Sequence, residues 1–145
     1  MTDTSILFGG APPANETTFT TSAGVTFPIG TPLVSSLSLE DTTVPGRANS
    51  VNTTHVVGLA ASSGPVGSQT FAQYAGPLTL TTAEWDVITG QTGGLTLDAP
   101  YYLSSATAGK LTTTAPSAGG TFKAPVGTAL SHTTMMVQIT FPIAN

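Results

Sequence analysis

The sequence predicts an all-β fold: a compact domain of the barrel or sandwich kind, with one short helix and an extended N-terminal arm. Three observations carry that expectation. Threonine is the most used residue, and a β-branched side chain favours the pleated, half-buried surface of a strand. The 145 residues include 16 Gly and 11 Pro, enough turn formers to cut the chain into many short strands. Charged residues make up only 7% of the chain, against about 25% in an ordinary globular protein. The surface must then be largely hydroxyl and apolar, which protects less well against association than charge does.

Residues 1–30 read as the arm and residues 31–145 as the β domain. Ile6-Leu7-Phe8 is a short apolar patch, and Ala11-Pro12-Pro13 breaks any regular element after it. Residues 17–21 and Val25-Thr26-Phe27 are extended in character. Alone, such a segment cannot bury enough surface to offset the entropy of its ordering. It is expected to lie on its own domain or along a neighbouring subunit. Its apolar side chains Ile6, Leu7, Phe8, Phe19, Val25 and Phe27 are the candidate contacts.

The elements then follow in order. Leu33, Leu37 and Leu39 alternate at period two, predicting a half-buried strand over 33–39. Glu40 to Arg47 reads as a turn or surface loop with two carboxylates beside one arginine. Val56 to Ala60 is a buried strand and Gly64-Pro65-Val66-Gly67 a turn. Thr70 to Ala75 alternates large rings with small or polar residues, as a strand with one buried face does. Gly76-Pro77 is expected to break it, with extension resuming at Leu78. Thr81 and Glu84 have the spacing of a capping box, Leu80 and Trp85 that of a hydrophobic staple, and Gly90 supplies a C-terminal stop. A helix of about two turns is therefore anchored by Thr81, Glu84 and Trp85. Further strands are expected at Pro100–Ser104, at Leu111–Thr114 paired back through a turn at Ala108-Gly109-Lys110, at Phe122–Leu130, and at Met135–Phe141. Val57-Gly58-Leu59-Ala60 and Val126-Gly127-Thr128-Ala129 form a short internal echo.

Composition excludes several chemistries. The only basic residues are Arg47, Lys110 and Lys123, too few for the cationic stripe that nucleic acid requires. There is no cysteine, hence no disulfide and no thiolate metal site. His55 and His132 read as solvated or locally hydrogen-bonded side chains. No Gly-x-Ser-x-Gly elbow occurs, and Gly90 to Gly94 lacks the lysine of a phosphate loop. Among the carboxylates, Glu84 has a capping role and Asp86 suits the helix dipole. No catalytic, cofactor or metal residue is expected, and the chain reads as a non-enzyme. No apolar run approaches the roughly 20 residues of a membrane helix. Met1-Thr2-Asp3-Thr4 lacks a signal peptide's basic start, so synthesis in a cytoplasm is expected, with no membrane partner.

Several runs, in order, resemble a known domain. Gly76-Pro77-Leu78-Thr79-Leu80-Thr81-Thr82-Ala83-Glu84-Trp85-Asp86 comes first, followed by Thr89-Gly90-Gln91-Thr92-Gly93-Gly94-Leu95-Thr96 and Tyr101-Tyr102-Leu103-Ser104. Leu111-Thr112-Thr113-Thr114-Ala115-Pro116 and Val126-Gly127-Thr128-Ala129-Leu130-Ser131 complete the set. Over residues 56–139 the chain is similar to a β domain that recurs in tailed-bacteriophage virion proteins, among them head-decoration (cement) proteins and head or tail fibres. Leu97-Asp98-Ala99-Pro100 departs from the Pro-Gly that usually precedes the paired tyrosines. The resemblance implies a homotrimer on the outside of a phage head, bound to the major capsid protein and made in the host bacterial cytoplasm. The short chain favours the head over a fibre. The alternative is a fibre or a receptor- or carbohydrate-binding module, for which Tyr74, Trp85, Tyr101 and Tyr102 are the candidate ring platforms; core packing is the competing role for each.

Overall fold

The structure, a computed structural model, describes residues 17–145. It is all-β with one helix. Five short strands, β1 (Thr18–Ala23), β2 (Pro32–Ser35), β3 (Thr42–Pro45), β4 (Gly58–Ala60) and β5 (Gln69–Gln73), close into a barrel in the order β1-β3-β2-β4-β5. β1 and β3 run parallel, and every other pair is antiparallel. Closure leaves this sheet no unpaired edge.

The chain then enters a second sheet through β6 (Ala75–Thr79) and α1 (Thr82–Thr89), followed by β7 (Pro100–Leu103) and β8 (Leu111–Thr112). β9 (Phe122–Lys123), β10 (Pro125–Ala129), β11 (Thr134–Gln138) and β12 (Ile143–Ala144) complete it. The sheet order is β6-β11-β10-β7-β8, all antiparallel, with β9 and β12 forming a separate ribbon.

Several sequence expectations change here for physical reasons. The stretch read as an arm contains β1. Its Phe19, Thr21 and Ala23 alternate inward, and the strand pairs with this chain's own β5 and β3. The strand expected over 33–39 stops at Ser35. The Ser36 hydroxyl accepts from the amides of Ser38 and Leu39 at 3.3 and 3.2 Å, a local turn that competes with the ladder. Leu37 and Leu39 are left exposed. Residues 42–45, expected in a loop, form β3: Thr42-Thr43-Val44 is β-branched and pairs with β2 from Leu33 to Ser35. Gly76-Pro77 does not break the chain, because β6 is an edge strand and tolerates a residue without a donor. Gln73 Nε2 closes that edge by donating to Ala75 O and Pro77 O at 3.1 and 2.8 Å. The last long strand ends at Gln138. Phe141, expected on its buried face, is exposed and lies against His55 with ring centroids 5.1 Å apart.

Two packing clusters result. The barrel interior holds Ala23, Phe27, Leu33, Ala60 and Ala72, with Phe19 against them. The larger cluster surrounds Trp85, Ile88, Leu95, Tyr101, Leu103, Leu111, Met135 and Val137 beneath α1. β4 serves both, giving Ala60 to the barrel and Leu59 to the larger core. Backbone bonds tie the halves together: Ala48 N to Ser104 O at 2.9 Å, Phe122 N to Ala48 O at 3.0 Å, and Gly109 N to Gly46 O at 2.8 Å. The two echoed segments occupy inner strands, and their glycines Gly58 and Gly127 sit where the neighbouring strand comes too close for a side chain.

Candidate functional site

The helix anchor forms as the spacing predicts. Glu84 N donates to Thr81 Oγ1 at 3.1 Å, and Thr81 N donates to Glu84 Oε1 at 2.9 Å. Gly90 closes the helix at φ 73°, in the left-handed region that favours glycine. Trp85 is fully buried, and its Nε1 donates to Thr133 O at 2.8 Å, satisfying the indole's only donor. Asp86 has a role that its place in the helix did not disclose. Its two carboxylate oxygens accept from Gly93 N and Gly94 N at 3.1 and 2.8 Å, clamping the loop after α1. Tyr101 Oη holds the same loop, accepting from Thr96 N at 2.8 Å and donating to Gln91 Oε1 at 2.6 Å. This half of the molecule is a packed and laced scaffold.

The open end of the barrel is different. β2 ends here and β3 begins here, and with Phe19 to Thr21 of β1 they leave a recess of about 450 Å³. Cross-strand register puts Ala23, Thr43 and Ser35 on one face. The recess is walled by Phe19, Thr21, Ser35 and Thr43 and rimmed by Leu39, Glu40 and Asp41 of the β2–β3 loop. Small residues Gly58, Ala60 and Ala72 stand on β4 and β5, inside the barrel. Thr21 Oγ1 donates to Asp41 O at 2.9 Å, and Ser22 N donates to the same carbonyl at 2.8 Å. These bonds hold Asp41 at φ 52°, a conformation that costs free energy for a residue with a Cβ. Thr43 is 3% exposed, and its hydroxyl has no hydrogen-bond partner.

The predicted contact residues scatter. Ile6, Leu7 and Phe8 lie outside the described residues. Phe19 is half-buried at the mouth and packs near Tyr74 with centroids 6.3 Å apart. Val25 is exposed beyond β1, whereas Phe27 is 3% exposed inside this chain's own barrel and faces no partner. Of the candidate ring platforms, Trp85 and Tyr101 are core residues, Tyr74 is exposed, and Tyr102 is partly exposed with Lys123 Nζ 5.9 Å from its centroid. His132 Nδ1 bonds to Leu95 O at 2.7 Å. Sequence reasoning put Leu37 and Leu39 in a half-buried strand and Glu40 and Asp41 in a surface loop, and marked none of the four as a contact. The signal available was the adjacency of exposed leucines to two of the chain's seven acidic residues.

Among the described residues no group of three or more His, Cys, Asp or Glu side chains is placed to hold a metal ion. No helix among them is long and apolar enough to cross a membrane. The chain matches no protein-family model, and a search of curated proteins gives no significant match.

Proposed function

We propose that this chain is a structural protein of a tailed-bacteriophage particle. It decorates the outside of the head as a homotrimer, binds the major capsid protein and stabilises the shell. The observation that carries the reading is where the resembling runs fall. They map in order onto β6 and α1, the clamped loop at Gly93-Gly94, β7, β8 and β10. That is a single packed unit around Trp85, so the resemblance spans a folding unit and not scattered fragments. A surface poor in charge and rich in threonine suits a protein held within a large assembly. The residues before β1, with Ile6, Leu7 and Phe8, supply an apolar segment that can lie on a neighbouring chain.

The test is addition of the purified protein to heads that lack it. The reading predicts binding in copies that follow the shell's symmetry, and raised resistance of the heads to heat. Light scattering on the free protein should give about three times 14.5 kDa. Deleting residues 2–16 should leave the barrel folded and weaken attachment. A few copies confined to a tail tip would favour the second reading, a receptor- or carbohydrate-binding module, for which exposed Tyr74 and the exposed part of Tyr102 beside Lys123 are the platforms.

A further inference from the structure

We infer that the open mouth of the barrel is the face that docks on the shell, and that it receives a segment of the shell protein carrying a lysine or arginine beside an apolar side chain. The inference rests on the decoration reading and names its contact surface.

Three observations converge on this end of the barrel. Leu37 and Leu39 are 76% and 61% exposed on the loop between β2 and β3, where nothing in the ladder requires leucine. Next to them stand Glu40 and Asp41, and no basic side chain lines the recess. The chain's three cations are engaged elsewhere: Arg47 Nε donates to Ser105 O at 2.9 Å, Lys110 Nζ donates to Val87 O at 2.6 Å, and Lys123 stands over Tyr102. An acidic rim beside exposed leucines is complementary to a cation flanked by an apolar group. Thr43, which lines the recess on the face shared with Ser35 and Ala23, carries a buried hydroxyl without a partner, an unmet polar group in the wall itself.

The test uses full-length protein and heads lacking it, with bound protein measured by sedimentation at low and high salt. Three variants are compared with wild type: Leu37→Ser with Leu39→Ser, Glu40→Gln with Asp41→Asn, and Leu97→Ser, an exposed leucine on the loop between α1 and β7. All change exposed side chains, and asparagine tolerates the positive φ at position 41, so thermal melts should match wild type. Both mouth variants should bind about tenfold or more weakly, and the amide variant should also lose salt sensitivity. Leu97→Ser should bind as wild type does. Wild-type binding matched by both mouth variants overturns the inference and leaves the decoration reading standing. Wild-type protein that does not bind heads removes that reading and this inference with it. Mouth variants that change the mass in light scattering, and not head binding, would make the occupant a second copy of this chain and overturn the inference.

Discussion

The barrel and the helix-bearing sheet are built on opposite principles. The sheet's core is large side chains: Trp85, Tyr101, Leu103, Leu111, Met135 and Val137 pack beneath one short helix. The barrel's interior is mostly small or hydroxylated, with Ala23, Ala60, Ala72, Thr21, Thr43 and Thr70 around Leu33 and Phe27. The sheet is held by burial of apolar area. The barrel is held by closure, in which each strand satisfies its backbone groups on two neighbours. The difference shows where each half can afford an unfinished surface. A core around a tryptophan tolerates no gap, whereas a closed ladder can leave its mouth open and its loop leucines exposed.

Substitutions sharpen that contrast. Trp85→Ala should have the largest effect, costing about 3–5 kcal/mol as large-to-small core changes do and removing one of the two hydrogen bonds that Thr133 O accepts. Chemical denaturation checks it, and a loss under about 1 kcal/mol would mean that the ring does not anchor the helix. Glycines at the two echoed positions give a matched pair. A Cβ at Gly127 would run into the Met136 carbonyl, whereas one at Gly58 would lie 3.0 Å from Ala72 Cβ and 3.1 Å from Gln73 O. Gly127→Ala should cost about 2–3 kcal/mol and Gly58→Ala about 1 kcal/mol, on the scale of overpacking. Equal costs would break the claim that the sheet is the tighter half.

Two smaller changes probe polar groups. Thr81→Ala removes the cap that accepts from Glu84 N and should cost about 1 kcal/mol, seen as a lower melting temperature and faster exchange of amides in α1. Thr43→Val should have the opposite sign. The hydroxyl it removes is buried without a partner, so the variant should gain up to about 1 kcal/mol. A loss there would show that the hydroxyl is satisfied in the free protein.

The same contrast explains what the sequence disclosed. The helix was legible because its signals are local: Leu80, Thr81, Glu84, Trp85 and Gly90 lie within eleven positions and each acts on the next turn. So was β7, bounded by turn formers, and β10 in part: the single run expected over Phe122–Leu130 is broken at Ala124 into β9 and β10. The barrel was not. Its strands are as short as three or four residues, and their pairing is decided by partners far apart in the chain, such as Thr20 with Phe71. β3 was hidden between Glu40-Asp41 and Pro45-Gly46, which read locally as a loop. The mouth shares this cause. Phe19, Ser35, Thr43 and Asp41 form one wall only after closure, so no spacing in the sequence marks them as a set. On β5 the rings point the less obvious way. Phe71 is exposed and Ala72 buried, because the narrow barrel has room inside only for the small side chain.

The most direct test of the account is electron cryo-microscopy of heads decorated with the full-length protein, at a resolution that traces side chains. The account predicts trimers arrayed on the shell's lattice, with the β2–β3 loop from Ser36 to Asp41 against the shell and a basic side chain of the shell protein beside Glu40 and Asp41. The packed sheet beneath α1 should stand away from the shell or between copies. Protein found on the heads with the barrel mouth turned to solvent, or found only at the tail, would contradict it.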